Sequence, residues 1–201
     1  PGTRVFGTDP AGFEPGTKSD NVWGPWRRAV RCHATDPDTR FEGATGGVLT
    51  ALTRFLLESG RVNFVYHVKA SSREPTFGER HISRSPADLR AAAGSRYGPT
   101  AMLAGFRDAL DLGEAFAFIG KPCDISAAKA FGETDPRVLD LVLYWLTPVC
   151  GGFMPPKGMD EFLSERCFRR EDLTALRYRG RGCPGPTSVA SAERSEDYTY
   201  L

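Results

Sequence analysis

Gly120-Lys121-Pro122-Cys123-Asp124 sets a thiol beside an ammonium where an apolar run, Ala115 to Ile119, gives way to a helical pattern. A thiol in the first turn of a helix meets unpaired amide hydrogens and the positive end of the helix dipole. Cys123, next to Lys121, is therefore expected to be more acidic than a free cysteine and able to attack a substrate or bind a soft metal. Cys123 and Lys121 are the candidate catalytic pair. The competing reading of Cys123 is a small buried residue at a helix start. Pro148-Val149-Cys150-Gly151-Gly152 closes the next apolar run. Cys150 is thus expected at the same sheet edge, and Cys123 with Cys150 makes the candidate metal pair, against the alternative of a buried cysteine at a turn.

Anion chemistry is offered at three other places. Thr45-Gly46-Gly47-Val48-Leu49-Thr50 opens a helical pattern with two glycines, so backbone can approach a ligand closely and amides can point at a phosphate. It is neither a Walker sequence nor GxGxxG, and an ordinary glycine helix start has the same composition. Gly94-Ser95-Arg96-Tyr97-Gly98-Pro99-Thr100 supplies hydroxyls, a guanidinium and a flat ring, an inventory suited to a dinucleotide or flavin and equally to a polar loop. Tyr178-Arg179-Gly180-Arg181-Gly182-Cys183-Pro184-Gly185 places arginines between glycines, as contact with phosphate or carboxylate requires, or as a solvated basic turn would. The three histidines lack metal-motif spacing and take no role.

These groups need elements to hold them. Trp26 to Thr35 alternates enough for a strand, and Asp36-Pro37-Asp38 then reads as a turn. Val48, Leu49, Leu52, Phe55 and Leu56 follow helical spacing, with Gly60 as the stop. Val62 to Ala70 reads as a strand with Phe77 to Ile82 beside it, and Ser85-Pro86-Ala87-Asp88 as a capped helix start. A further helix is expected from Pro99 or Thr100 to Leu112. A strand buried on both faces follows at Ala115–Ile119, then a helix over Pro122 to Phe131, a buried strand over Val138 to Leu146 and a helix over Met159 to Arg166. The order predicts an α/β fold, a layered sheet with crossover helices followed by a less regular Arg/Gly-rich tail. The expected divisions are an irregular lead-in over 1–24, an α/β core over 25–156 and a helical and loop segment over 157–201. In open α/β sheets ligands gather at the carboxyl ends of strands, where Gly120–Asp124 is expected.

Composition excludes several classes. The 201 residues carry 26 Lys+Arg against 25 Asp+Glu, a formal net charge of +1, so no long-range field gathers nucleic acid or an anionic membrane. A chain of this size buries about 70% of its unfolded surface and needs no staples. Five cysteines, an odd number without a CxxC pair, are not a secreted disulfide framework. The longest uncharged run, Leu141 to Pro156, is broken by prolines and glycines and is shorter than the ~20 residues of a membrane span. With no apolar segment resembling a signal peptide in the first 24 residues, a cytoplasmic location is expected. The first residue is Pro1 rather than Met, as in a piece of something longer.

Taken in order, GGVLTALTRFLLESGRV, GSRYGPT, AFIGKPCDISA, PVCGG and YRGRGCPG resemble the beta-subunit family of deazaflavin-coenzyme (factor 420) hydrogenases and dehydrogenases. That family is related to formate dehydrogenase beta subunits and 7-hydroxymethyl chlorophyll reductase, and the resemblance spans about Trp26 to Gly185. It implies an iron–sulfur flavoprotein that binds FAD and passes electrons between a 4Fe–4S cluster, a redox partner subunit and a small-molecule donor or acceptor; oligomerisation is compatible with it. By resemblance, Gly46, Gly47 and Thr50 form the glycine helix start, Ser95 and Tyr97 the Ser-x-Tyr loop, and Gly120, Pro122 and Cys123 the G-T-P-C turn. Arg96, Gly98, Thr100 and Lys121 complete the candidate cofactor set. Lys121 replaces the usual threonine and Cys183 a frequent tryptophan, while the family's ferredoxin-like cysteines and C-terminal cysteine pair do not occur in these 201 residues. A cluster here would need ligands from missing segments or a partner. Two further classes stay open: a cofactor-free scaffold of a redox complex, and a cysteine hydrolase using Cys123.

Overall fold

The computed structural model describes residues 15–22 and 24–199. Most of the expected lead-in, residues 1–14, therefore lies outside the described residues. Residues 1–32 and 33–201 form two separate units. In the first, β1 (Lys18–Asp20) pairs antiparallel with β2 (Gly24–Trp26), and the Lys18 ammonium sits 4.9 Å from the Trp26 ring centre. The strand expected over Trp26–Thr35 is not formed beyond Trp26: residues 27–34 follow no sheet partner and Val30 is exposed. Alternation makes a strand only where a neighbour accepts its backbone hydrogen bonds.

The second unit opens on α1 (Pro37–Glu42), because the Asp36 carboxylate accepts from the Thr39 amide at 3.0 Å and Pro37 occupies the first helical position. The residues expected as a plain turn are thus a helix cap. After a short 3-10 turn, α2 (Val48–Glu58) runs to a stop at Gly60, whose φ is +67°. Its Thr53 and Leu56 are buried, whereas Leu52 and Phe55 of the expected apolar face are exposed. β3 (Phe64–Ala70) and β4 (Gly78–Ser83) then pair antiparallel, and α3 (Pro86–Ala91) begins with the expected reciprocal Ser85–Asp88 capping box.

The helix expected from Pro99 starts later, with a 3-10 turn at Met102–Gly105 leading into α4 (Phe106–Asp111). β5 (Phe116–Ile119) is followed by α5 (Pro122–Phe131), both as expected. The strand expected over Val138–Leu146 divides into α6 (Arg137–Leu141) and β6 (Val142–Leu146). Asp135 accepts the Arg137 amide and Pro136 precedes the first turn, so the local start signals turn Val138 into the core as a helical residue.

The sheet order is β4-β3-β5-β6, with β3, β5 and β6 parallel and β4 antiparallel at one edge. On one face Phe64, Tyr66, Phe116 and Phe118 pack with Met102, Phe106, Ala128 and Val138. On the other, Val65 and Ala117 meet Leu56 of α2 and Leu89 of α3. Helices thus cover both faces of a mixed α/β sheet. Beyond it, α7 (Pro156–Ser164) starts and ends earlier than the expected Met159–Arg166 helix. It packs on a second sheet, β7 (Leu173–Arg177), β8 (Thr187–Ser191) and β9 (Ser195–Tyr198), all antiparallel. The Arg/Gly-rich tail therefore contains an ordered sheet that weak periodicity did not reveal.

Candidate functional site

β3, β5 and β6 are parallel, so their carboxyl ends share one edge, and the Gly120–Asp124 turn follows β5 there as Cys150 follows β6. Gly120 extends the β5–β6 ladder by donating its amide to the Leu146 carbonyl at 3.1 Å. Pro122 is the first residue of α5 and Cys123 the second, with an exposed side chain. The reading of Cys123 as a small buried residue is thereby removed. Lys121 is committed elsewhere: its Nζ lies 2.7 Å from Asp124 Oδ2, which also accepts the Lys121 amide at 3.1 Å. Asp124 thus caps the helix and neutralises the ammonium that was expected to activate the thiol.

Cys150 follows β6 and is exposed too, with Sγ 3.8 Å from the Gly152 carbonyl oxygen, so the buried-turn reading of it also fails. All five cysteines are free, and among the described residues no three of His, Cys, Asp and Glu form a metal-ligand group. His67 is largely buried, with Nε2 2.7 Å from Ser83 Oγ inside the β3–β4 pair, and burial pushes its pKa down to about 4.

α2 leads into β3 through a short connection, so it runs back along the sheet and its N-terminus lies toward the same carboxyl edge. Thr45, Gly46 and Gly47 before it all have positive φ, at 55°, 74° and 69°. No side chain caps the helix, and Thr50 is half-buried in its first turn. A Cβ on Gly47 would fall 2.3 Å from the Thr39 carbonyl oxygen. Glycine is demanded there by the chain's own α1, whatever the turn also binds.

The Gly94–Thr100 loop is threaded between the first sheet and the second. Ser95 forms an antiparallel bridge with Arg179. Arg96 Nη1 donates to the Leu176 carbonyl at 2.7 Å, the Tyr97 carbonyl accepts the Met154 amide at 2.7 Å, and the Tyr97 ring meets Tyr178 edge-on at 5.5 Å. A Cβ on Gly98 would lie 1.8 Å from the Thr76 carbonyl oxygen, to which the Tyr178 hydroxyl donates at 2.6 Å, while Thr100 Oγ1 reaches back to the Gly98 carbonyl at 3.4 Å.

The arginine-glycine turn closes onto α1. The Gly182 amide donates to the Phe41 carbonyl at 2.9 Å and Arg177 Nη2 donates to the Glu42 carbonyl. A Cβ on Gly180 would collide with Arg177 Nε at 2.4 Å, so this glycine makes room for the guanidinium. Segments near residues 40, 95 and 180 thus meet in one place. Arg177, Ser71, Ser72 and Ser188 line it with Arg96 and Arg181, and sequence reading missed the first four. Only Arg177 carried a signal, as the residue preceding the Tyr178 motif.

Two family models match in tandem, "Coenzyme F420 hydrogenase/dehydrogenase, beta subunit N-term" over residues 29–106 and its C-terminal counterpart over residues 113–196. The chain belongs to this family. It is 32% identical over 134 residues to the F420-dependent formate dehydrogenase 1 subunit beta of Methanococcus maripaludis, a match covering 65% of this chain and 33% of that protein. Its fold is similar to that of a chain from the F420-reducing NiFe hydrogenase complex of Methanosarcina barkeri, with a TM-score of 0.62 and 16% identity over 83% of this chain and 58% of that one. The chain therefore spans a third of the length of that curated relative. Membership places it in a family of redox subunits, as its motifs implied. Among the described residues no helix is long and apolar enough to cross a membrane.

Proposed function

We propose that this chain is the flavin-binding part of an electron-transferring oxidoreductase subunit that works with a redox partner. The observation that carries the reading is the meeting of the 40s, 90s and 180s segments, through Gly182 to Phe41, Arg177 to Glu42 and Ser95 to Arg179, beside the end of β3, where the Gly78 amide donates to the Pro99 carbonyl. These segments fall within the family match.

The residues fit a flavin and do not fit a complete cluster. Four thiolates make the usual 4Fe–4S site, and the described residues bring no three metal-binding side chains together. An uncapped α2 with Thr45 and Thr50 near its start is suited to the diphosphate of FAD. When bound, FAD would supply electron exchange with a donor and an acceptor. The chain's own residues would orient it: the α2 dipole would attract the anion, and Cys123, exposed in the first turn of α5, would be open to a reacting ring. Lys121, paired with Asp124, holds the start of α5.

A cofactor-free scaffold is the second reading, favoured by one observation: the space beside Gly47, Gly98 and Gly120 is taken by the chain itself. Incubation with FAD followed by gel filtration separates the two. The flavin reading expects bound, stoichiometric flavin absorption, weakened several-fold by Thr50→Val and retained in Cys123→Ser. Protein that elutes colourless establishes the scaffold. Gly47→Val is not diagnostic, since the clash with Thr39 would damage the fold with or without a ligand.

A further inference from the structure

Between the end of β3 and the second sheet lies a cavity of about 370 Å³, lined among others by Ser71, Ser72, Arg96, Arg177, Arg181 and Ser188. We propose that this cavity is an oxyanion site that takes a phosphoryl group. It stands on observations independent of the α2 helix start and does not require FAD.

The cavity holds three guanidinium groups and no carboxylate among its lining residues. Arg96 Nε, Arg177 Nε and Ser188 Oγ are buried and have no hydrogen-bond partner. Each is a donor with no acceptor of the chain in reach. The partners these arginines do have are neutral backbone carbonyls, Leu176 for Arg96 and Glu42 for Arg177. The Glu42 carboxylate is drawn 3.6 Å from Arg90 on α3, and Glu79 is engaged by Lys69 at 3.3 Å and by the Ser71 hydroxyl.

The cations also repel one another. Burial first, and then the charge of Arg177, pushes the Arg96 pKa down to about 10. Burial and Arg181 likewise lower that of Arg177, against a smaller opposing pull from the Glu42 carboxylate. A guanidinium does not give up its proton at neutral pH, so only an anion relieves this arrangement. A phosphoryl dianion matches it better than a carboxylate, because it neutralises two of the three charges and offers several acceptors to the guanidinium groups that line the cavity. The geometry is also built rather than incidental: a Cβ on Gly180 or Gly94 would fall 2.4 Å from Arg177 Nε or 3.4 Å from its Cζ, so two glycines cradle that guanidinium. The volume lies at the lower end of the ~300–1,000 Å³ of small-molecule pockets, room for a phosphate with a small appendage or for the phosphate portion of a longer ligand.

Calorimetric titration of inorganic phosphate into the full chain, with chloride holding ionic strength constant, tests the site. Saturable binding at one equivalent is expected. Arg181→Gln, at an exposed position, should weaken it roughly tenfold and Ser188→Ala several-fold, with the circular dichroism of both variants unchanged. No binding to the parent chain, or equal binding by parent and both well-folded variants, overturns the proposal. Repeating the titration in the presence of FAD distinguishes the sources of the phosphoryl group. Competition assigns the cavity to the flavin's own diphosphate and simultaneous binding to a separate phosphorylated molecule, and each supports the site. Phosphate binding by a chain that takes up no flavin would sink the flavin reading alone.

Discussion

Lys121 and Arg96 are both cations held by loops at the carboxyl side of one sheet, and the chain treats them in opposite ways. Lys121 finds Asp124 three residues further on, 2.7 Å away, in a site that water reaches. Arg96 lies against a carbonyl, with Nε buried and unpartnered, and its strongest charged neighbour is another arginine. The first charge is closed by local sequence and serves as part of a helix cap. The second is kept open by distant parts of the fold at a cost in stability, which is what a site that awaits an anion requires.

The largest way to break this contrast is to remove the loop that delivers Arg96. Gly98→Ala places a methyl group where the Thr76 carbonyl oxygen stands, 1.8 Å from the ideal Cβ position. A loss of roughly 3 kcal/mol or more in urea denaturation is expected. A variant within about 1 kcal/mol of the parent would show that the loop can move aside and that Arg96 is less firmly held.

His67 sharpens the contrast, because a buried imidazole can discharge where a guanidinium cannot. Its folded pKa is depressed from 6.5 to about 4, chiefly by burial and then by His81. The unfolded state therefore binds more protons between these values. The contribution of His67 is complete above pH 6.5 and is lost as pH falls toward 4, by about 3 kcal/mol at the limit. Urea stability measured from about pH 7 to about pH 5 should fall in the parent and fall less in His67→Asn. Parallel curves would mean that water reaches the ring.

The smallest effect belongs to the satisfied charge. Asp124→Ala removes the cap and partner of Lys121 and should cost about 1 kcal/mol in thermal or urea unfolding. It should leave phosphate affinity at the arginine cavity unchanged. A shift in that affinity would show that the two cations are electrostatically linked.

What the sequence disclosed follows the same division between local and distant partners. α5 was legible to its ends because glycines bound the preceding strand, Pro122 sets the first helical position and Asp124 reaches back to the cap. α3 was legible through Ser85 and Asp88 for the same reason. Trp26–Thr35 misled because its alternation says nothing about whether a neighbouring strand exists. Val138–Leu141 misled because a short, largely apolar VLDL segment suits either period, and Asp135 and Pro136 decide for a helix. β8 and β9 are short and rich in polar residues, so their pairing was hidden. At the site, the glycines were recognisable as special, but the atoms that demand them, the carbonyls of Thr39 and Thr76, lie in other elements.

The threading of residues 94–98 between the two sheets also dictates when the arginine cavity comes into being. Thr76 and Arg96 leave the ribosome well before Tyr178 and Leu176, their partners 102 and 80 positions later. Until then Arg96 lacks its carbonyl partner and is an ordinary solvated cation. The strands of the second sheet act as a fastener, so the unsatisfied charge is created only once Leu176 and Tyr178 have emerged. A nascent or clipped chain that ends before β7 is therefore expected to keep much of its first sheet while lacking the anion site.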